Sequence, residues 1–265
     1  MTSSKSNCRP CVIVIAAISI LSTCWAQEEG VLEEIVEQTY RIDPGATLSI
    51  RNIDGSIRIY GADIPELKLH AVKKAYRQER LQQIRVDVSA QPNAVSIETR
   101  FPPKPKWGFS DRSGTVDYIL VLPQTCSISR LELITGEVLI EGMRGNNVHA
   151  SLVNGRMFGH NCFGDVHLAV TNGGLDVGYH WWEHGSFSVD AEIVNGNVRA
   201  FIPGEASFHL LATSVNGNVA SDFSDKQDRH LEGVARIDTM IGGASEASVN
   251  IHATNGSVRI VEANP

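Results

Sequence analysis

Beyond Ala26 no stretch of the chain approaches the roughly 20 consecutive apolar residues that a membrane helix needs, which excludes such a helix from the body of the protein. Basic residues are outnumbered and unclustered, with 23 Lys+Arg against 30 Asp+Glu. So acidic a chain, with no basic block, is a poor partner for nucleic acid or for an anionic membrane surface. A phosphate-cradling glycine loop, a nucleophile elbow and a GGxGxD calcium repeat are all missing. No Ser/Gly-rich linker divides the chain. The roughly 240 residues after Ala26 suit one large all-β domain or two smaller ones.

What is present begins with a leader. Lys5 and Arg9 precede an apolar run from Val12 to Leu21, followed by small residues up to Ala26. That is the pattern of a secretory signal peptide, and the run is too short to span a bilayer comfortably. Residues 1–26 are expected to be removed, leaving a mature chain exported to the periplasm, the cell surface or the medium. A second reading takes "LSTC" as a lipoprotein box that anchors the protein through Cys24, with Thr23 where such boxes carry Gly, Ala or Ser. Losing Lys5 and Arg9 takes the basic residues from 23 to 21 against an unchanged 30 acids, a net charge of −9. Three of the five cysteines (Cys8, Cys11 and Cys24) lie in the leader, so "CRPC" carries no metal or redox chemistry in the mature chain.

The rest of the sequence repeats itself. Turn glycines recur at Gly136 ("ITGEVLI"), Gly155 ("LVNGRMF"), Gly173 ("VTNGGLDV"), Gly196 ("IVNGNVRA"), Gly217 ("SVNGNVAS") and Gly256 ("ATNGSVRI"), in steps of 19, 18, 23, 21 and 39 residues. The last step is close to two ordinary ones and reads as a repeat that has lost its signature. Gly55 in "NIDGSIRIYG" reads as an outlying earlier copy. Apolar residues alternate on both sides of each glycine and change parity across it, as at Leu131/Leu133 against Val138/Ile140. Period two means strands with one face in the core, and the parity change keeps that face inward past the turn. Asn and Gly suit the turn because both tolerate positive φ.

A two-residue hairpin would also satisfy this parity. The near-constant period is what favours a solenoid. The fold expected is all-β, a parallel β-helix or β-solenoid with repeats of about 18–23 residues; an antiparallel sandwich or meander is the alternative. Residues 27–125 form a strand-rich lead-in and 126–265 the repeats of the same domain. In such a stack Asn154, Asn172, Asn195 and Asn216, with Asn255, form a turn ladder at about 4.8 Å spacing. Cys126 and Cys162 occupy similar columns two levels, about 9.6 Å, apart, beyond disulfide reach, so free thiols are expected. In the lead-in, "TLSIRNIDGSIRIYG", "ELKLHAVKKAY", "AVSIETRF" and "TVDYILVLP" read as strands and "RQERLQQI" as a short helical turn, while "RFPPKPKWGFSDRSG" and "SDFSDKQDRHLEG" read as loops.

The lead-in "LSIRNIDGSIRIYG", the pre-repeat "VDYILVLP", the serial "VNG" turns and the closing "IGGASEASVNIHATNGSVRI" together resemble the bacterial putative-adhesin family, exported domains of unknown function. The resemblance covers nearly all of the mature chain. It implies a β-solenoid in a periplasmic or cell-surface setting, and it brings no catalytic residues with it.

One motif carries chemistry. "HWWEH", His180 to His184, matches the H-x-x-E-H pattern in which a helix presents two zinc-binding histidines beside a glutamate base, here Glu183. The motif lies between Gly178 and Gly185 in a strand-rich repeat, which leaves barely one helical turn. Adventitious metal binding by His180 and His184 is the milder form of the idea. Tyr179, Trp181 and Trp182 form a second candidate, since exposed aromatics stack on sugar rings; against that, one tryptophan could cap the core beneath the loop. His149, His167, His209 and His252 point outward by parity, and with Arg199 and Arg259 they could meet an acidic glycan, although nothing clusters them. Asp165, Asp176 and Asp190 share no register, so the paired carboxylates of a polysaccharide-cleaving solenoid are not formed. The expected function is a non-catalytic, adhesin-like binding or structural module at the cell envelope, without cofactor. Its partner would be an envelope glycan or protein, with self-association through open sheet edges. A zinc-dependent or carbohydrate-active hydrolase is the alternative.

Overall fold

The computed structural model describes residues 30–102, 114–223, 229–231 and 234–263; the leader with Cys24, and parts of both loops named above, lie outside them. The first part holds β1 (Leu32–Arg41), β2 (Thr47–Ala62), β3 (Glu66–Ala75), helix α1 (Gln78–Gln83), β4 (Arg85–Gln91), β5 (Ala94–Arg100) and β6 (Thr115–Pro123). The long strands follow: β7 (Ser127–Glu141), β8 (Asn147–His160), β9 (Asp165–Gly178) and β10 (Ser188–Pro203). The chain finishes with β11 (Phe208–Asn216), β12 (Val219–Ser221), β13 (Arg229–Leu231), β14 (Val234–Ile241), β15 (Ser248–Asn255) and β16 (Val258–Ala263). Among the described residues no helix is long and apolar enough to cross a membrane.

All sixteen strands join one open sheet of mixed sense. Parallel pairing runs from β2 through β7, β8, β9 and β10. It continues through β15 and β16 to β11 and β12. At the flanks β1–β3, β3–β6, β4–β5, β11–β14 and β13–β14 are antiparallel. Parallel pairing, expected throughout, is thus confined to the middle. The reason is local for β4–β5: a two-residue link, 92–93, can join only antiparallel neighbours.

The stacked turns explain the glycines. A Cβ on Gly136 would lie 1.7 Å from the carbonyl oxygen of Gly55, one on Gly155 1.8 Å from that of Gly136, and one on Gly173 1.7 Å from that of Gly155. The column continues through Gly196 and Gly256 to Gly217. Gly155 also has φ +140°, where a side chain is strained whatever the space around it. The turn is therefore a corner inside a continuous strand, over which the next backbone passes too closely for any side chain. The parity change across it serves the core: Leu131, Leu133, Val138 and Ile140 of β7 are all buried, as are Val166, Leu168, Val170, Leu175 and Val177 of β9.

The 39-residue step is not a degraded repeat. Its residues form the antiparallel β13–β14 pair, and the strands around Gly256 then insert between β10 and β11/β12. Spatial order and chain order therefore differ at this end. The N-terminal end shows the mirror arrangement, with β5 and β6 stacked outside β2 while β7 returns to its inner side.

Cys126 and Cys162 are free and buried, in connections 124–126 and 161–164 with 142–146 lying between. Desolvation pushes each thiol from 9.0 up to about 11. The native state thus holds two protons that the unfolded chain releases first. Stability should fall as pH rises from about 9 toward 11, and a thiol reagent at pH 8 should react only after denaturant is added. Rapid labelling of the native protein would contradict the burial.

Candidate binding surface

Residues 179–187, between β9 and β10, form a loop with no helical turn. Each end is fixed by the sheet. Tyr179 donates its backbone N–H to the Phe201 carbonyl at 2.9 Å and its hydroxyl to the Cys162 carbonyl at 2.9 Å. Its ring is buried against Phe163 (5.2 Å) and Trp182 (5.2 Å), and desolvation holds its hydroxyl well above the usual value. Trp182 packs in turn on Phe187 (5.1 Å) and Phe208 (5.2 Å). Tyr179 and Trp182 are thus packing groups that close the apolar interior beneath the loop, and the exposed aromatic triad expected from the sequence reduces to Trp181.

Trp181 remains 44% exposed, its ring 6.0 Å from Phe163 at an interplanar angle of 35°. Its Nε1–H donates to Glu183 Oε1 at 3.1 Å. Arg144 grips the same carboxylate with two bonds, of 2.6 Å and 2.5 Å, while its guanidinium lies 5.5 Å from the Phe163 ring centre. Partial desolvation pushes the Glu183 carboxyl up, but the bonds from Arg144 and Trp181 outweigh it and hold the group below its usual range. The result is a closed ring of contacts that fixes the orientation of an exposed indole. A fixed aromatic face binds with little loss of rotamer entropy.

The same contacts bear on the zinc reading. H-x-x-E-H chemistry needs a helix to gather its groups on one face, and this segment has none. Glu183 is committed to Arg144 and Trp181. His180 is tied as well: Asn161 Oδ1 accepts its backbone N–H at 2.9 Å, and Asn161 Nδ2 donates to its ring Nδ1 at 2.9 Å, which places the imidazole proton on Nε2. His184 is exposed on the loop. Among the described residues no three His, Cys, Asp or Glu side chains gather closely enough to hold a metal ion.

At the corner, Asn172 Nδ2 donates to Asn154 Oδ1 (3.0 Å), Asn195 to Asn172 (2.9 Å), Asn255 to Asn195 (2.9 Å) and Asn216 to Asn255 (2.8 Å). Asn255 thus stands between Asn195 and Asn216, which do not meet. Of the outward histidines, His149 and His167 are neighbours at a ring separation of 5.9 Å, while His209 faces Asp238 and His252 faces Thr213. Arg199 grips Asp176, and Arg259 reaches Asp222 at 3.2 Å. Sequence reasoning missed Asn161, Arg144 and Phe163. All three lie in the connections before and after β8, where period-two alternation stops.

No family model matches the chain, and no curated protein matches it. Among solved structures, a putative cell adhesion protein from Clostridium sporogenes matches at 12% identity and a TM-score of 0.52, over 87% of this chain and 100% of that one. A putative adhesin from Bacteroides fragilis matches at 10% identity over 86% of this chain and 97% of the other, with a TM-score of only 0.28. The structural neighbours are thus bacterial putative adhesins, as the sequence resemblance implied, and it is the fold of the Clostridium sporogenes protein that this chain shares.

Proposed function

We propose that the protein is an exported, non-catalytic, adhesin-like binding module of the bacterial envelope, built as a single β-solenoid domain. Support for the solenoid comes from the connections: β7 joins β8 through 142–146 and β8 joins β9 through 161–164. Parallel neighbours ordinarily need a crossover of a dozen or more residues. Links this short suffice only if each long strand bends at its glycine until its ends approach, so that every strand is one rung of a coil. The stacking of Gly136 on Gly55 ties the lead-in (27–125) to the repeats (126–265). The leader supports export, and the shared fold of a protein named for cell adhesion supports an adhesive role.

The observation that carries the reading is the preorganised, exposed Trp181, braced by Phe163, Glu183 and Arg144. Its test is an array of bacterial envelope glycans probed with the mature chain and with Trp181→Ala. The substitution should lower the signal at least about 10-fold and leave the melting temperature unchanged. Equal signals from both proteins would remove the platform from the mechanism. Plasma mass spectrometry of the same samples should find sub-stoichiometric zinc. One zinc per chain, lost in His180→Ala/His184→Ala, would reinstate the hydrolase.

A further inference from the structure

Past its corner, β9 turns Gly174, Asp176 and Gly178 outward, alternating with the buried Leu175 and Val177. At the same levels β8 presents Arg156, Phe158 and His160, and β10 presents Asn197, Arg199 and Phe201. The missing side chain at Gly174, between two rows of large ones, leaves a trough whose walls stand two strand spacings, about 9.6 Å, apart; at Gly178 the His160 ring leans over the gap, 3.0 Å from where a Cβ would lie. Its corner end is an open hollow of about 690 Å³ with the corner glycines in its lining, and it continues into a second hollow of about 390 Å³ beside Phe158 and Phe201; Asp176 lines both.

The chemistry changes along its length. At the middle, Arg199 donates Nε–H to Asp176 Oδ1 at 2.8 Å and Nη2–H to Oδ2 at 2.6 Å, with the Asp176 side chain 8% exposed and Arg199 50% exposed. A forked pair of this kind keeps donors and lone pairs free for hydroxyl groups. Toward the second hollow, Phe158 and Phe201 supply apolar surface, with Arg199 lying 5.6 Å from the Phe201 ring centre. At the corner end, Arg58 is paired with Glu137, whereas Arg156 forms no ion pair among the described residues. An unpaired guanidinium at one end of the trough favours an anion there.

The backbone beneath the trough pairs with strands on both sides, so an extended peptide would find no free edge to extend. Recognition must come from side chains. A ligand with flat apolar ring faces, hydroxyls along its edges and a negative charge matches all three zones. We infer that the trough along β9 binds an acidic glycan, a chain of sugar rings with a carboxylated unit on Arg156, hydroxyls on the Asp176–Arg199 pair and ring faces against Phe158 and Phe201. This rests on the binding-module reading and adds to the Trp181 platform a second site, for acidic chains, on the sheet face.

The experiment is isothermal titration of the mature chain with a linear uronic-acid hexasaccharide and with the neutral hexasaccharide of the same linkage. Arg156→Gln and Gly174→Gln are run beside the unmodified protein. Gly174 tolerates a side chain: its φ is ordinary and the nearest atom to an added Cβ is 3.7 Å away. The acidic chain should bind about 10-fold tighter than the neutral one. Arg156→Gln should erase that preference, and Gly174→Gln should abolish binding of both while keeping the unmodified melting curve. Binding without an acidic preference, or unaffected by both substitutions, overturns the trough. Binding that survives Gly174→Gln but is lost in Trp181→Ala overturns it as well and leaves the adhesin-like reading standing. Silence toward both hexasaccharides and toward every sugar on the array overturns both.

Discussion

Gly155→Ala should destabilise the protein by about 3–5 kcal/mol, while Gly174→Ala should change its stability by no more than about 0.5 kcal/mol. Both residues are glycines beside a corner, and composition alone would rank them equal. Geometry separates them. The added methyl at Gly155 meets the Gly136 oxygen at 1.8 Å and requires φ +140°, whereas at Gly174 it meets nothing nearer than 3.7 Å. At Gly155 the chain cannot escape by rotating a side chain, because the obstacle is the backbone of the neighbouring rung. It must instead part from the parallel ladder on that side, and buried carbonyls then lose their donors. Urea unfolding of the three proteins gives the comparison directly, read as a change of midpoint at constant slope. A Gly155→Ala variant as stable as its parent would mean that the rungs do not stack glycine on glycine.

A chain ending at Glu246 should fail to fold into a monomer. In an array whose spatial order followed its sequence, deleting the last strands would merely shorten the stack by one level. Here β15 and β16 lie between β10 and β11/β12, so their removal vacates an interior level and leaves the flanking strands about 9.6 Å apart, with nothing to pair with on that side. Buried Val249, Ile251, Val258 and Ile260 go with them, each worth roughly 1.5–3 kcal/mol of burial. Together they rival the whole stability of an ordinary domain, about 5–15 kcal/mol. Size exclusion and far-ultraviolet circular dichroism would show an aggregated or unfolded product. A monomer with a cooperative melt would refute the inserted position of the C-terminal strands.

The inserted rung also marks how far sequence reasoning reaches. Corner glycines, inward parity and the spacing of Cys126 and Cys162 were readable because each depends on strand periodicity or on the φ of one residue. Which rung lies beside which was not readable: Asn255–Gly256 carries the same local signature as Asn216–Gly217, and an in-register parallel neighbour accepts either. β1 escaped notice because its "LEEIVEQTYR" has polar residues at most positions, as suits an edge strand that must not recruit another. The loop misled for a different reason. Alternation fixes where a side chain points within a strand, but beyond Gly178 nothing in "YHWWEH" says that Tyr179 and Trp182 turn inward while Trp181 stays out. The trough was hidden by the glycines themselves: Gly174 reads as part of a turn, although Gly173 makes the corner and Gly174 contributes an empty space.

The asparagine ladder bears on how such a protein ages. Asn–Gly is the peptide bond most prone to spontaneous deamidation, since the glycine nitrogen readily attacks the preceding side-chain amide. In Asn172, Asn195 and Asn255 both the amide nitrogen and the amide oxygen are committed to neighbouring rungs, which holds the carbonyl carbon away from that attack. Asn216, the last residue of β11, closes the ladder: its oxygen has no further asparagine to accept from, and the following β12 is only three residues long. Chemical wear should begin there. A carboxylate formed at that position could no longer donate to Asn255, and the array would lose its bonds from the terminal rung inward.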